Sequence, residues 1–168
     1  MAVAILLVGC SKQNISSGNS PSPAKERASA AFMSPVAQAA LSSWQRGDQS
    51  AAVSSFLAAD WSVRPIFASD SVLNLTEDKF KSLSVADQQA KSAEIGNQLG
   101  SLKRLAAAVT QAGRDAAAKG DTTQAQNYFT SLKQCGAALN SPDSLIIVQL
   151  VGNSLDKMAD TELAKIGK

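Results

Sequence analysis

The chain has 168 residues and a formal net charge of +2, with 45% hydrophobic and only 5% aromatic residues. This composition has no cluster of basic residues and so lacks the cationic, aromatic surface that nucleic-acid binding requires. The chain has no histidine, which rules out Ser-His-Asp and Cys-His catalysis and removes the commonest metal ligand. We therefore expect a single domain with no nucleic-acid partner, cofactor or metal.

The first ten residues carry the most informative local pattern. An apolar stretch from Ala2 to Val8 precedes Gly9 and Cys10, and no Lys or Arg occurs before Lys12. A secretory signal combines a basic start, an apolar stretch and a small residue before the cleavage site, so only the basic start is missing. The run Leu7-Val8-Gly9-Cys10 resembles the lipobox of bacterial lipoproteins. The alternative is a chance cysteine behind an ordinary signal peptide or within a buried apolar N-terminus.

The lipobox resemblance implies a membrane anchor. Residues 1–9 would be a signal peptide, shortened at its start, and Cys10 would become the lipidated first residue. Stable anchoring needs more than one acyl chain, and the family typically carries three. In that family, Ser11 after the cysteine implies the outer membrane of a Gram-negative cell, facing the periplasm. Residues 10–33 are then the lipidated cysteine and a flexible tether, because residues 11–23 are dominated by Ser, Asn, Gly and Pro.

Residues 34–168 predict an all-α domain of about six helices in antiparallel hairpins. Alanine is abundant, and the alternation of β-branched residues that is typical of strands is missing. Ser34-Pro35, Asp48 and Ser84 are among the residues that indicate helix starts. The predicted helices cover about 35–46, 49–60, a short segment from 77, 85–119, 122–139 and a last helix from about Leu145 to Ile166.

Two details of these helices carry further expectations. Gly96 or Gly100 could interrupt the long helix that starts after Ser84. The first half of the last helix is apolar on more than one side, so we expect it to be the most buried element. Cys135 lies on an apolar helical pattern, which predicts a buried and inert thiol.

Two segments share the pattern G-D-x-x-x-A-x-x-x-F without gaps, one from Gly47 to Phe56 and one from Gly120 to Phe129. In each, the glycine can end one helix and the aspartate can cap the next, and the alanine and phenylalanine share a face. Over residues 33–62 and 106–139 the chain resembles degenerate tetratricopeptide repeats. The alternative is two ordinary helical hairpins, so the fold is either tetratricopeptide-like or an irregular helical bundle.

The tetratricopeptide resemblance implies a concave surface that binds an extended peptide. Carried over to this sequence, that surface holds Leu41, Trp44, Gln45, Thr110 and Arg114. Tryptophan and arginine are residue types that often anchor interfaces. The alternative is that Trp44 belongs to the core and that Arg114 pairs with Asp115, Asp121 or solvent.

The leading functional hypothesis is a non-enzymatic one: a membrane-anchored envelope lipoprotein that acts as a protein-interaction or scaffold module. The alternative is a periplasmic binder of a small molecule or cell-wall fragment in a pocket between helices. An enzyme is disfavoured, although Asp156 and Asp160 share a helix face and paired carboxylates can perform acid–base chemistry. A carboxylate pair in one cleft would favour the enzyme. A closed apolar pocket would favour the ligand binder. An open groove in which Trp44 and Arg114 are exposed would favour the interaction module.

Overall fold

The computed structural model describes residues 37–166. Over this range the all-α prediction is confirmed, while the lipobox, the tether and Ser34-Pro35 lie outside the described residues. The helices are α1 (Gln38–Gln45), α2 (Gln49–Ala58), α3 (Glu77–Lys81), α4 (Val85–Ala118), α5 (Thr122–Leu139) and α6 (Ile146–Ile166), with a 3-10 turn at Val72–Asn74.

Helix α5 lies at the centre of the packing. It packs most extensively against α6, which follows it, and next against α4, which precedes it, while α1 and α2 form a hairpin that packs on α4 and α5. The short connections make the successive long helices antiparallel. The largest fully buried side chains come from α2, α4, α5 and α6 and are Phe56, Phe129, Leu102, Leu105, Leu132, Leu139, Val109, Val148 and Cys135.

The two G-D turns adopt the same local conformation. Gly47 and Gly120 both have a φ of 82°, the left-handed geometry that favours glycine at the end of a helix. The next residues, Asp48 and Asp121, cap α2 and α5, and each carboxylate accepts a hydrogen bond from the N–H three residues on, at 3.0 Å and 2.9 Å. The shared pattern therefore encodes one capping geometry twice.

The alanine and phenylalanine of each copy point into the core. Phe56 and Phe129 are both fully buried. The ring of Phe129 lies so close to α4 that a Cβ atom on Gly113 would stand 2.7 Å from it. Ala40 holds the corresponding small position on α1 and is also fully buried. In both hairpins a small residue on the first helix, Ala40 or Gly113, is thus paired with a buried phenylalanine ring on the second helix.

The irregular stretch between α2 and α3 closes the core over α5. Trp61 packs against Phe56 with ring centroids 4.7 Å apart, and its indole N–H donates to the hydroxyl of Ser131 at 3.3 Å. Arg64, which precedes a cis peptide bond to Pro65, donates to the carbonyl oxygen of Ala138 near the end of α5.

Of the two possibilities that the sequence left open for α4, the structure has the continuous helix. The helix runs unbroken through Gly96 and Gly100. A glycine in a helix costs about 1 kcal/mol relative to alanine, and that cost is offset here because Ile95, Leu99 and Leu102 bury their side chains along the same stretch.

The expectation that α6 is the most buried element is wrong. Val148 and Val151 are buried, but Ile146, Ile147 and Leu150 are 55%, 48% and 55% exposed. The reason is position: α5 lies between α4 and α6, whereas α6 packs mainly on α5. The first half of α6 therefore presents aliphatic side chains to solvent.

Candidate functional site

The five residues predicted to form a binding face lie in separate places. Leu41 and Gln45 line a cleft between α1 and α4, whereas Arg114 lines a cavity beside α5 and α6. Trp44 packs partly buried against the core, and Thr110 is buried. The predicted set therefore does not form one surface.

Helix α6 is the reason for this separation, because it covers the part of α4 that carries Thr110. The hydroxyl of Thr110 donates to the carbonyl oxygen of Ala106 at 2.8 Å and lies 3.6 Å from the sulfur of Met158 on α6. A concave face open along this side of α4 would need α6 to lie elsewhere.

Arg114 is held by a buried carboxylate. Both Arg114 and Lys165 donate to the same oxygen of Glu162, at 2.6 Å and 2.8 Å. The hydrogen bond from Arg114 is the largest cause that lowers the pKa of Glu162 to about 2, and the same bond raises the pKa of Arg114. Glu162, and neither Asp115 nor Asp121, is therefore the ion-pair partner of Arg114, because α6 brings its carboxylate across to α4. The side chain of Arg114 stays about half exposed to solvent.

Of the two carboxylates Asp156 and Asp160, Asp160 forms a surface ion pair. Asp160 accepts a hydrogen bond from Lys133 of α5, which raises the pKa of that lysine, and both side chains are about half exposed. Among the described residues, no group of three or more His, Cys, Asp or Glu side chains is placed to hold a metal ion.

An apolar groove lies between α4 and α6, and α3 closes one end of it. The cavity measures about 470 Å³ and is here called the α4/α6 groove. Ile146, Ile147 and Leu150 form its wall on α6, while the buried Ile95 and Leu99 face it from α4. The remaining lining residues are Glu77, Phe80, Ser92, Gly96 and Leu145.

Glu77 fixes α3 at the end of the groove. Its carboxylate accepts a hydrogen bond from the backbone N–H of Ile146, the first residue of α6, at 2.9 Å. The ammonium group of Lys81 lies 3.8 Å from the same carboxylate. A carboxylate at a helix N-terminus accepts a hydrogen bond from an otherwise unpaired N–H, and its negative charge interacts favourably with the positive end of the helix dipole. Glu77 therefore connects α3 to α6.

The groove stays open because α4 and α6 meet mainly through α5. Gly96 widens it further, since nothing lies within 4 Å of the position that a Cβ atom would take there. Sequence reasoning missed the groove, although the signal was present. The first half of α6 is apolar on more than one side, a pattern that predicts the most buried element but is equally consistent with an apolar groove wall.

A smaller, polar cleft lies between α1, the loop before the 3-10 turn, and α4. It measures about 220 Å³ and is here called the α1/α4 cleft. Two of the predicted binding residues, Leu41 and Gln45, belong to it. The other lining residues are Gln38, Phe67, Ala68, Asp70, Ser71, Glu94, Gln98 and Ser101.

No family model, curated protein or solved structure matches this chain. The groove, the cleft and the lipobox-like run are therefore the features of the chain that support a function.

Proposed function

We propose that this chain is a lipid-anchored protein of the bacterial cell envelope whose helical domain binds a partner protein and catalyses no reaction. The anchor is proposed from the lipobox-like run ending at Cys10, with residues 10–33 as the tether. Among residues 37–166, no helix is both long enough and apolar enough to cross a bilayer. A lipid on Cys10 would keep the helical domain and its partner at the membrane surface.

The observation that carries the binding proposal is the aliphatic wall of the α4/α6 groove. Ile146, Ile147 and Leu150 are each about half exposed. Burying an aliphatic side chain completely is worth about 1.5–3 kcal/mol relative to leaving it in water, so a partner that covers this wall gains stability. Neighbouring exposed aliphatic residues beside a concave surface are typical of interaction sites.

An amphipathic helix is the occupant that best fits the groove. The groove lies between two helices that run in the same direction, so a third helix can place its apolar residues between the walls. Lys103 follows Leu99 by four positions on α4, and Lys157 follows Leu150 by seven on α6. Both lysines are exposed and continue the groove-facing side of their helices. We therefore infer a partner helix with aliphatic residues on one face and acidic residues at the end that meets these lysines.

Site-specific photo-crosslinking in Gram-negative cells tests the binding proposal. A photoreactive residue at position 147 should crosslink to a partner peptide that is helical, aliphatic and acidic at one end. Leu150→Glu and the paired change Lys103→Glu with Lys157→Glu should each remove the product. Val63→Glu, at an exposed valine outside the groove, should leave it unchanged. Crosslinks to lipid, to a second copy of the chain, or to a product that survives Leu150→Glu would overturn the proposal.

A separate experiment tests the anchor. The protein expressed with its native start should gain the mass of acyl chains and partition into detergent, whereas Cys10→Ser should do neither. An unlipidated wild type would overturn the anchor and leave the groove proposal to be judged by its own crosslinks.

A further inference from the structure

The α1/α4 cleft has one wall that is already ordered by hydrogen bonds. The hydroxyl of Ser71 donates to Gln98 Oε1 at 2.8 Å, and Gln98 Nε2 donates to Glu94 Oε1 at 3.3 Å. Lys91 donates to the second oxygen of Glu94 at 3.0 Å. This chain of bonds joins the loop to α4 and fixes the orientation of the amide and the carboxylate that face the cleft.

The other side of the cleft offers side chains with unused hydrogen-bonding capacity. Gln38 donates its amide N–H to Ser42 at 3.1 Å, which leaves its carbonyl oxygen to accept. Within residues 37–166, the carboxylate of Asp70 and the amide of Gln45 make no hydrogen bond or ion pair, and both residues are exposed. These groups come from α1 and from the loop, so a ligand between them and α4 would touch three separate elements.

The lining favours a ligand that donates hydrogen bonds. It contains two carboxylates, Asp70 and Glu94, and no Lys or Arg side chain. Because Lys91 and Gln98 already bind Glu94, Asp70 supplies the uncompensated negative charge. A primary ammonium group provides three donors for such a carboxylate, and hydroxyl groups match the glutamine amides, which both donate and accept.

The cleft is small. Its volume of about 220 Å³ is below the range of drug-sized sites, and it suits a single sugar ring. Leu41 and Phe67 supply the apolar part of the lining, against which the C–H groups of such a ring can pack.

We propose that the α1/α4 cleft binds a small ligand in which a primary ammonium group stands beside hydroxyl groups, as in an amino sugar, with Asp70 as the ammonium partner. The site is separate from the α4/α6 groove, so the inference does not rest on the proposed partner protein.

Titration of the ¹⁵N-labelled full chain carrying Cys10→Ser tests this site by NMR. The probes are glucosamine, glucose, which lacks the amine, and cyclohexylamine, which lacks the hydroxyl groups. Glucosamine should bind with a dissociation constant of about 1–10 mM, the weak range expected of a small exposed site. The amide signals of Ala68, Ser71 and Gln98 should shift, and both other probes should bind more weakly.

Two carboxylate variants and one groove variant complete the experiment. Asp70→Asn keeps the shape of the side chain and should weaken glucosamine binding about threefold or more, the effect of losing an exposed ion pair. Asp78→Asn, an exposed carboxylate on α3, and Leu150→Glu in the groove should bind glucosamine as the parent does. No localised shifts at 50 mM glucosamine (a concentration about fivefold above the weakest expected constant), equal binding of all three probes, or unchanged binding by Asp70→Asn would overturn the inference.

Discussion

Gly136 of α5 and Gly152 of α6 face each other with almost no space between the two backbones. A Cβ atom on Gly136 would lie 2.8 Å from the carbonyl oxygen of Gly152, and one on Gly152 would lie 2.7 Å from the carbonyl oxygen of Gly136. Both obstacles are backbone atoms, which a side-chain rotation cannot move away. This close approach sets how α6 lies on α5, and therefore where the α6 wall of the α4/α6 groove stands.

Gly136→Ala should destabilise the domain by about 1–3 kcal/mol, because overpacking forces the two helices apart. Urea unfolding followed by circular dichroism measures the change. Gly96→Ala is the matched control: nothing lies within 4 Å of its new Cβ, so it should stabilise α4 by about 0.5–1 kcal/mol. Equal effects of the two substitutions would contradict the close approach.

The two capping aspartates, Asp48 and Asp121, should contribute equally to the free energy of unfolding. Asp48→Ala and Asp121→Ala each remove a carboxylate that accepts a backbone N–H, and each should cost about 1 kcal/mol of unfolding free energy. Asp→Asn at either position keeps an accepting oxygen and should cost much less. A large loss at only one of the two positions would show that the repeated pattern does not have one structural role.

Glu162 makes stability depend on pH at the acidic end. Its pKa in the folded protein is about 2, below the ordinary value of 4.5, chiefly because Arg114 donates to it. A lowered pKa contributes stability that is fully present above pH 4.5 and is lost as the pH falls towards 2. The stability difference between wild type and Glu162→Gln should therefore shrink between pH 5 and pH 2.5.

The two cations provide an internal comparison for that experiment. Arg114→Gln should reduce the pH dependence more than Lys165→Gln, because the hydrogen bond from Arg114 has the larger effect on the pKa of Glu162. Chemical denaturation at matched ionic strength measures both. The reverse order would show that Lys165 is the main partner.

Cys135 should be inert while the domain is folded. Its side chain is fully buried, and burial raises the pKa of its thiol well above the ordinary value. A thiolate is the reactive form, so a thiol reagent should not modify Cys135 in the Cys10→Ser chain until urea unfolds it. Rapid labelling in the absence of denaturant would show that α5 opens locally.

Substitutions in the groove wall of α6 should change the stability of the domain less than substitutions at core positions of the same helix. Leu150→Gln changes a side chain that is 55% exposed and should alter stability by less than about 0.5 kcal/mol. Leu155→Gln places a polar amide where the leucine is buried and should cost more than about 2 kcal/mol. Similar losses from both would mean that the wall of the groove is part of the core.

Local signals in the sequence predicted most of the helix boundaries. The glycine and aspartate of each G-D turn act on backbone groups within a few residues. So do Thr76 and Ser84, whose hydroxyl oxygens accept a backbone N–H at the starts of α3 and α4. Such signals can be identified without the rest of the fold. The same locality explains why the sequence left open whether α4 is broken at Gly96 or Gly100. A glycine weakens a helix locally, but distant core residues such as Leu102 decide whether the helix continues.

The candidate sites depend on contacts between residues far apart in the chain. The apolar pattern of α6 showed that its first half is hydrophobic on several sides, but not which side α5 would cover. In the same way, the sequence shows that Arg114 carries a positive charge, but not that this charge binds Glu162, which follows 48 positions later.

By itself, the sequence determined the all-α class, the capped turns and the apolar faces, because these follow from backbone chemistry and helical periodicity over a few residues. Only the tertiary structure decided which apolar residues stay in contact with water. That choice depends on how closely helices approach, and here Gly136 and Gly152 let α6 settle on α5 while Ile146, Ile147 and Leu150 remain exposed beside α4.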